Sequence, residues 1–291
     1  LTGALEIMEG SHIRKVRKYY ESVGSRLGYD FILGGAIHFG YYPSGMPDIS
    51  EKEAQNLLHD LVAKKLLLKK GDHILDAGCG QGVVGVFLAK KYGVHITGIN
   101  IVPFQIEKAK KLAKEEGVAE KVDFTLMDYS VTTFPDSFFD SIYTTETLSH
   151  SPDVSKTLKE FFRILKPGGR IALFEYTLAP DELFSEWEIE MLNIVIEGSA
   201  MIGLKEFRHN QFTRIIRNIG FENTEEQSIS KNIRPSFYRL HKFSLWPYKF
   251  IKLFGLQKIF INTTAGYEYY KMAAKDLIRY SIFTASKPLP K

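Results

Sequence analysis

Cysteine is almost absent from this chain of 291 residues, in which Cys79 is the only one. A single cysteine excludes an intramolecular disulfide and a zinc site built from several cysteines. Apolar runs approaching the roughly 20 residues that cross a bilayer are also absent, and the first residues lack the ordered regions of a signal peptide. We therefore expect a soluble, cytoplasmic protein that contacts a membrane, if at all, only at its surface.

A strong excess of charge of one sign is missing as well. The formal net charge is +4, and Lys and Arg are interspersed with Asp and Glu. Nucleic-acid-binding proteins usually concentrate basic residues on one face, so we expect no nucleic-acid partner. Apolar residues make up 44% of the chain and aromatic residues 13%, which suffices for one large domain or a domain with a cap.

The sequence does contain a regular alternation of short apolar runs and helical patterns. The runs before residue 180 are HILDAG, HITGIN, VDFTLMD, FDSIYTTE and RIALFEYTL. Later, NQFTRIIRNIGFENTEEQSIS adds a helix and a strand, and RYSIFTASKP adds a last strand. This alternation is typical of a parallel sheet covered by helices. We predict an α/β fold with a mostly parallel sheet of seven strands.

Two aromatic-rich regions, residues 11–50 and 180–262, interrupt this alternation. Both flank the core, so we expect them to form a lid over the carboxyl ends of the strands, where open sheets bind ligands. The segment LWPYKFIKLFGLQKIFI also fits an amphipathic helix at a membrane surface, although we favour a helix packed on the lid. The predicted division is a cap over residues 1–65, a cofactor-binding core over 66–180, and a remainder over 181–291 with cap insertions at about 181–207 and 231–262.

The segment LDAGCGQGVVG follows the first strand and matches the G-x-G-x-x-G dinucleotide pattern only formally. Asp76 lies at the strand end, where a carboxylate would repel a pyrophosphate and attract a cation. S-adenosylmethionine has a sulfonium and an ammonium group and no phosphate. Gly78, Gly80 and Gly82 would let the backbone approach this ligand closely.

Polar residues also follow the second and third strands. Asn100 can hydrogen-bond ribose hydroxyls, and Asp128 can accept a hydrogen bond from an adenine amino group. Both residue types also cap turns, which is the alternative interpretation. An NAD-dependent oxidoreductase usually has an acidic residue where Asn100 stands, which makes it the weaker rival.

Several segments together resemble the class I S-adenosylmethionine-dependent methyltransferases, and within them the sterol 24-C-methyltransferases and related isoprenoid (prenyl diphosphate) C-methyltransferases. They are LDAGCGQG, GINIVPFQIEKAKKLA, VDFTLMD, TETLSHSPDVSKTLKEFFRILKPGGRIALFEY and GGAIHFGYY. The likeness covers about residues 19–220, and residues 231–261 depart from the sterol pattern. It implies a Rossmann-like sheet with a helical cap. The loop and the resemblance together predict these cofactor-binding residues: Asp76, Gly78, Gly80, Gly82, Asn100, Gln105, Asp128, Tyr129 and Glu146.

The resemblance further implies methyl transfer to a carbon–carbon double bond. Such a transfer leaves a carbocation that must be shielded from water and lose a proton. Glu146 and His150 can take this proton, and aromatic faces can stabilise the cation. The predicted catalytic residues are Glu146, His150, Tyr20 and Tyr29. Alternatively, Glu146 orients the methionine amino group and His150 is an ordinary turn residue.

Two groups of residues are predicted to contact the substrate. The aromatic segment contributes His38, Phe39 and Tyr41, and the C-terminal part contributes Arg208, Arg234 and Arg239. If the basic residues converge, they would bind a diphosphate, which favours farnesyl or geranyl diphosphate over a sterol, with Mg²⁺ only as its counter-ion. They are also compatible with a solvated surface. No acidic cluster has metal-ligand spacing, so no resident metal is expected.

Two rival functions would use the same cofactor pocket. One is an O- or N-methyltransferase of a small natural product, which would need a base beside a hydroxyl or amine. The other is a protein that binds S-adenosylmethionine without catalysis. Ring closure of the substrate cation after methylation also stays open.

Overall fold

The computed structural model describes residues 11–27, 36–46 and 48–290. One seven-stranded sheet has the strand order β3-β2-β1-β4-β5-β7-β6. Strands β1 to β5 pair in parallel, whereas β7 is antiparallel to both β5 and β6. The prediction of a mostly parallel seven-stranded sheet is confirmed. The strands are β1 (His73–Ala77), β2 (His95–Asn100), β3 (Val122–Leu126), β4 (Phe139–Thr145), β5 (Leu165–Leu178), β6 (Glu222–Ser228) and β7 (Ile278–Ser286).

Helices cover both faces and one end of this sheet. They are α1 (Ser11–Glu21), α2 (Val23–Leu27), α3 (Glu51–Leu66), α4 (Val83–Tyr92), α5 (Pro103–Glu115), α6 (Val154–Ile164), α7 (Glu186–Gly198), α8 (Phe212–Ile219), α9 (Ser230–Leu253) and α10 (Ile261–Ala274). Local signals explain where two of them begin and end, since Pro103 lies in the first turn of α5 and α4 ends at Gly93 in the left-handed conformation. Across the described ranges, no helix is long and apolar enough to span a membrane.

The sequence pattern explains which strands are central and which is the edge. β1 is buried along almost its whole length, as expected of a parallel strand covered on both faces. β6, with the sequence ENTEEQS, is mostly exposed and pairs only with β7. Charged side chains on an edge strand hinder pairing with other chains.

Glu51 at the start of α3 joins three parts of the cap. Its carboxylate accepts hydrogen bonds from the Gly40 backbone N–H at 3.0 Å, the Tyr42 hydroxyl at 3.0 Å and the Ser236 hydroxyl at 2.6 Å. Arg239 of α9 adds an ion pair at 3.0 Å. This carboxylate therefore fixes the segment 36–46 and α9 beside the core.

Helix α1 lies across the strand ends on the same side of the sheet. The Arg17 side chain donates to the Ile101 carbonyl after β2 at 2.7 Å, and the His12 ring donates to the His150 carbonyl after β4 at 2.6 Å. Val16 and Tyr20 pack there with Val102 and Ala200. The helical cap expected from the N-terminal and C-terminal parts is therefore present.

Candidate active site

The turn between β1 and α4 requires glycine at two positions where a side chain would collide with its neighbours. Gly78 has φ +88°, and a Cβ there would lie 2.7 Å from the Thr147 side chain. Gly82 has φ +78°, and a Cβ there would lie 2.7 Å from the Ala109 Cβ. Positive φ and close approach are both easy only for glycine. The loop is therefore held tightly between α5 and the turn after β4.

A first cavity of about 350 Å³ opens beside this loop, at the carboxyl ends of the parallel strands. Ligands of open α/β sheets bind at this edge. Six of the nine predicted cofactor-binding residues line it, whereas Asp76, Gly82 and Glu146 do not. The six are Gly78, Gly80, Asn100, Gln105, Asp128 and Tyr129.

Asp76 lies beneath the glycine loop instead of facing this cavity. The residue is 1% exposed, and the Tyr143 hydroxyl beside its carboxyl favours the ionised form. A Cβ on Gly85 of α4 would lie 3.3 Å from Oδ2 of Asp76, so the carboxyl occupies the space between β1 and α4. Burial raises the pKa of Asp76 to about 7. The position of Asp76 at the strand end predicted direct contact with the cofactor. In the structure, Asp76 does not line the first cavity.

Asn100 and Asp128 both cap turns and line the first cavity, so capping a turn does not exclude a role in cofactor binding. The Asn100 Oδ1 accepts from the Ile101 N–H at 2.7 Å, and its Nδ2 donates to the Gln105 Oε1 at 2.6 Å. The Asp128 Oδ1 accepts from the Ser130 N–H at 2.8 Å. These bonds fix the amide and the carboxylate in place before any ligand binds.

The first cavity has polar and apolar groups that fit an adenosyl ligand. They include the amides of Asn100 and Gln105, the Asp128 carboxylate and the Lys156 side chain, together with apolar side chains. A Cβ on Gly80 would lie 3.1 Å from the Ile37 side chain, so glycine keeps this part of the wall open. Within the described residues, no group of three or more His, Cys, Asp or Glu could hold a metal ion.

A second cavity of about 240 Å³ adjoins the first and is predominantly apolar. Tyr20, Ile37 and His150 line both cavities and so form the wall between them. Phe39 and Glu146, two residues singled out in the sequence, line the second cavity. The arrangement places an apolar compartment directly beside the proposed cofactor site.

Glu146 is the acidic residue in this apolar compartment. It follows β4 in the left-handed conformation, with φ +58°, which is uncommon for a residue other than glycine. The Tyr176 hydroxyl donates to Oε2 at 2.5 Å, and the Tyr280 hydroxyl and the Phe39 N–H donate to Oε1 at 3.0 and 3.1 Å. Burial raises the pKa of Glu146 from 4.5 to about 7, against these hydrogen bonds. At neutral pH, the protonated and ionised forms of the Glu146 carboxyl are therefore both well populated.

His150 is a weaker candidate base than Glu146. Its Nδ1 lies 3.2 Å from the Ala200 carbonyl and must donate to it, which leaves Nε2 as an acceptor in the neutral ring. The Tyr20 hydroxyl, 2.9 Å away, donates to this nitrogen. Burial lowers the pKa of His150 to about 4. The pair Tyr20–His150 thus acts as a neutral partition between the two cavities.

The turn carrying Glu146 and His150 is held by a residue that the sequence analysis missed. The buried Glu175 of β5 accepts from the Thr147, Leu148 and Ser149 N–H groups at 3.0, 2.8 and 3.4 Å. Burial raises the pKa of this carboxyl to about 7. The sequence did contain a signal for this role, because Glu175 is an acidic residue inside the apolar run RIALFEYTL.

The predicted substrate residues are dispersed. His38 lines the first cavity and Phe39 the second, whereas Tyr41 lines neither. Nδ1 of His38 donates to the Phe39 carbonyl at 2.9 Å, and its Nε2 lies 3.0 Å from Nε2 of His59. Burial lowers the pKa of His38 to about 4. Tyr29, predicted to be catalytic, lies outside the described residues.

The three predicted arginines do not converge on a substrate. Arg208 forms an ion pair with Asp181 at 2.6 Å, Arg239 is bound to Glu51, and Arg234 is exposed. None of them is among the described residues that line either cavity. The alternative of a solvated surface therefore describes these side chains better than a diphosphate site does.

Comparison with known proteins places this site in a family. A family model described as a methyltransferase domain matches residues 68–228. The S-adenosyl-L-methionine-dependent Diels-Alderase iccD of Talaromyces variabilis is 34% identical over 287 residues, covering 94% of this chain and 95% of that one. The sterol 24-C-methyltransferase of Aspergillus fumigatus is 28% identical over 239 residues, covering 79% of this chain and 62% of that one.

A solved structure agrees with these sequence relatives. The crystal structure of the [4+2]-cyclase SpnF matches with a TM-score of 0.71 and 26% identity, covering 92% of this chain and 96% of that one. The domain match spans more than half of the chain and includes the glycine loop and the turn with Glu146. The chain therefore belongs to the class I S-adenosylmethionine-dependent methyltransferases, as its sequence motifs predicted.

Proposed function

We propose that this protein methylates an alkene carbon of an apolar, isoprenoid-type substrate held in the second cavity, with Glu146 as the proton acceptor. The observation that carries the proposal is Glu146 itself. Its carboxyl is partly buried, has a pKa raised by desolvation to about 7, and lines an apolar cavity that shares a wall with the cofactor cavity. An O- or N-methyltransferase would also need a base, but it would not need the aromatic rings of Phe39, Tyr176 and Phe237 that line the cavity with Glu146 and suit a substrate cation.

S-adenosylmethionine, when bound, would supply an electrophilic methyl group for the alkene π electrons, and S-adenosylhomocysteine would leave with the electrons of the broken carbon–sulfur bond. The chain would hold this cofactor with the Asp128 carboxylate on the adenine amino group and the amides of Asn100 and Gln105 on the ribose. The Gly80 N–H of the glycine loop would receive its carboxylate. This assignment uses residues that already line the first cavity.

Replacing Asp128 with Ala should raise the Kd for S-adenosylmethionine about tenfold or more, because a hydrogen bond to a charged group contributes about 1.5–3 kcal/mol. Isothermal titration calorimetry measures the change. Asp123→Ala, on the exposed part of β3, is the matched control and should bind normally. Equal affinity of the two variants would refute the adenine contact.

Glu146 would complete the reaction on the substrate side. Methylation of one alkene carbon leaves a cation on its neighbour, and a carboxylate lowers the energy of that cation in an apolar site. A C–H bond beside the cation then breaks, its electrons form the new double bond, and the proton goes to a Glu146 oxygen. The rings of Phe39, Tyr176 and Phe237 line the same cavity and can face the cation.

The activity should depend on pH because only the ionised form of Glu146 can accept a proton. Since burial raises its pKa to about 7, kcat/KM should fall as the pH decreases through that value, by about tenfold per unit. His150→Asn should keep this acidic limb, because the pKa of His150 is about 4. A pH–rate profile that stays flat between about 5 and 8 would contradict the role of Glu146.

The second cavity favours a neutral substrate over a diphosphate. No Lys or Arg is among the described residues that line it, and phosphate sites normally contain such cations. Instead, neutral polar groups line it, among them the Tyr19 hydroxyl, which donates to Oδ1 of Asn262 at 2.6 Å. We therefore favour an alkene with one hydroxyl or carbonyl group.

The proposal is tested by incubating the protein with S-adenosylmethionine and a panel of sterols, acyclic isoprenoid alcohols, and geranyl, farnesyl and geranylgeranyl diphosphates. Mass analysis should show products with one added methylene from neutral substrates. Diphosphates methylated on carbon would support the proposed reaction but would overturn the proposal that the substrate is neutral. A product methylated on oxygen or nitrogen would overturn the proposed reaction.

A second candidate is a [4+2] cyclisation of a neutral polyene with S-adenosylmethionine bound but not consumed. The observation that favours it is the match to the Diels-Alderase over nearly the full length of both chains. Such a reaction transfers no proton, so it gives the Glu146 carboxyl no role as a base. A product of unchanged mass and an intact cofactor would establish this candidate over C-methylation.

A further inference from the structure

Helix α9 has apolar side chains on two opposite sides, and only one of them is covered. Ile233, Phe237, Tyr248 and Ile251 are buried against the protein. The uncovered side forms what we call the apolar stripe: Phe243, Trp246, Phe250, Leu253 and Phe254. The spacing of these residues is that of one helix face.

The apolar stripe is large and well exposed. Trp246 is 70% exposed, Phe250 64% and Leu253 74%. Ile259 and Phe260, in the turn that follows α9, are also exposed. Contiguous aromatic side chains in water usually mark a binding surface.

The chain segment that carries the stripe has charge of one sign. Between Glu226 and Glu268 the sequence has no acidic residue, and the basic residues in this interval are Lys231, Arg234, Arg239, Lys242, Lys249, Lys252 and Lys258. On the helix, Lys242 and Lys249 flank the stripe, and the Lys249 ammonium lies 4.2 Å from the centre of the Trp246 ring. Aromatic residues bordered by lysines suit the interface of an anionic bilayer.

The stripe also adjoins the second cavity. Phe243 belongs to both, since it is 65% exposed and lines that cavity. Leu240, one turn earlier on α9, and Ile261, at the start of α10, line the cavity as well. An apolar molecule dissolved in a bilayer would therefore meet the cavity at the place where the stripe begins.

We propose that the apolar stripe and its lysines dock this protein on an anionic lipid surface, with the second cavity open toward the lipid. The aromatic side chains enter the interface, and the lysines contact lipid phosphate and carboxylate groups. The docking concerns the surface of α9 alone and stands independently of the reaction in the cavity.

The test is co-sedimentation of the full chain, without cofactor, with vesicles of phosphatidylcholine alone or with about one third phosphatidylserine. We expect binding to the anionic vesicles that weakens strongly in about 1 M salt, where the Debye length is about 3 Å. The double variants Trp246→Ser with Phe250→Ser, and Lys242→Glu with Lys249→Glu, should each lower the partition coefficient about tenfold or more. Circular dichroism checks that each variant is folded.

Matched controls carry the same chemical changes elsewhere. Lys110→Glu with Lys111→Glu reverses two exposed charges on α5, and Leu183→Ser with Leu289→Ser removes two exposed apolar side chains. Both should bind like the wild type. Equal binding to neutral and anionic vesicles, no binding, or α9 variants that bind normally would overturn the proposal. A dimer in solution that Trp246→Ser converts to monomers, without vesicle binding, would assign the stripe to a second copy of the chain.

Discussion

Glu146→Gln should lower kcat for methyl transfer about 100-fold to 10,000-fold, the range that a positioned general base contributes. The amide has the shape of the carboxyl, but it cannot accept the proton that the substrate must lose. It also carries no negative charge to stabilise the substrate cation. The fold should persist, because hydroxyls such as those of Tyr176 and Tyr280 can either donate or accept a hydrogen bond.

The measurement is single-turnover product formation together with the Kd for S-adenosylmethionine. The Kd should change little, because Glu146 does not line the first cavity. Glu225→Gln, the same substitution at an exposed position of β6, should keep full activity. A Glu146→Gln protein with turnover within a few-fold of the wild type would remove the proposed base from the mechanism.

The second large effect concerns stability. Glu175→Ala should lower the free energy of unfolding by about 2–6 kcal/mol, because at least two N–H groups in the turn would lose their acceptor at about 1–3 kcal/mol each. These groups belong to Thr147 and Leu148, in the turn behind Glu146. Activity should fall as well, since the turn positions the base.

Urea denaturation followed by circular dichroism measures this loss. Glu175→Gln should recover part of it, because the amide keeps one oxygen that can accept from the same N–H groups. The exposed control Glu225→Ala should change the free energy of unfolding by less than about 0.5 kcal/mol. If Glu175→Ala were equally mild, the turn would not depend on this carboxylate.

Much of the sheet and part of the site could be predicted from sequence for a simple physical reason. Parallel strands buried on both faces are short apolar runs, and their carboxyl ends meet at one edge. Residues that follow such runs, including Asn100, Asp128 and Glu146, were therefore expected near a common ligand. The first two line one cavity and the third lines its neighbour.

Contacts between segments that lie far apart in the sequence could not be predicted from these local patterns. Tyr280 pairs with Tyr176 in the antiparallel register of β5 and β7, and this pairing brings both hydroxyls to Glu146. No local pattern in the sequence encodes that register. The direction of the Asp76 side chain and the ion pair of Arg239 with Glu51 likewise depend on tertiary packing.

The central claim is that the second cavity directs a methyl group onto carbon. The most direct measurement is mass spectrometry and NMR of the product formed from S-adenosylmethionine with a fully deuterated methyl group and a neutral isoprenoid alkene. The account predicts an intact CD₃ group bonded to carbon, one hydrogen lost from the substrate, and no such product with Glu146→Gln. A cyclised product without deuterium, or a CD₃ group on oxygen or nitrogen, would contradict it.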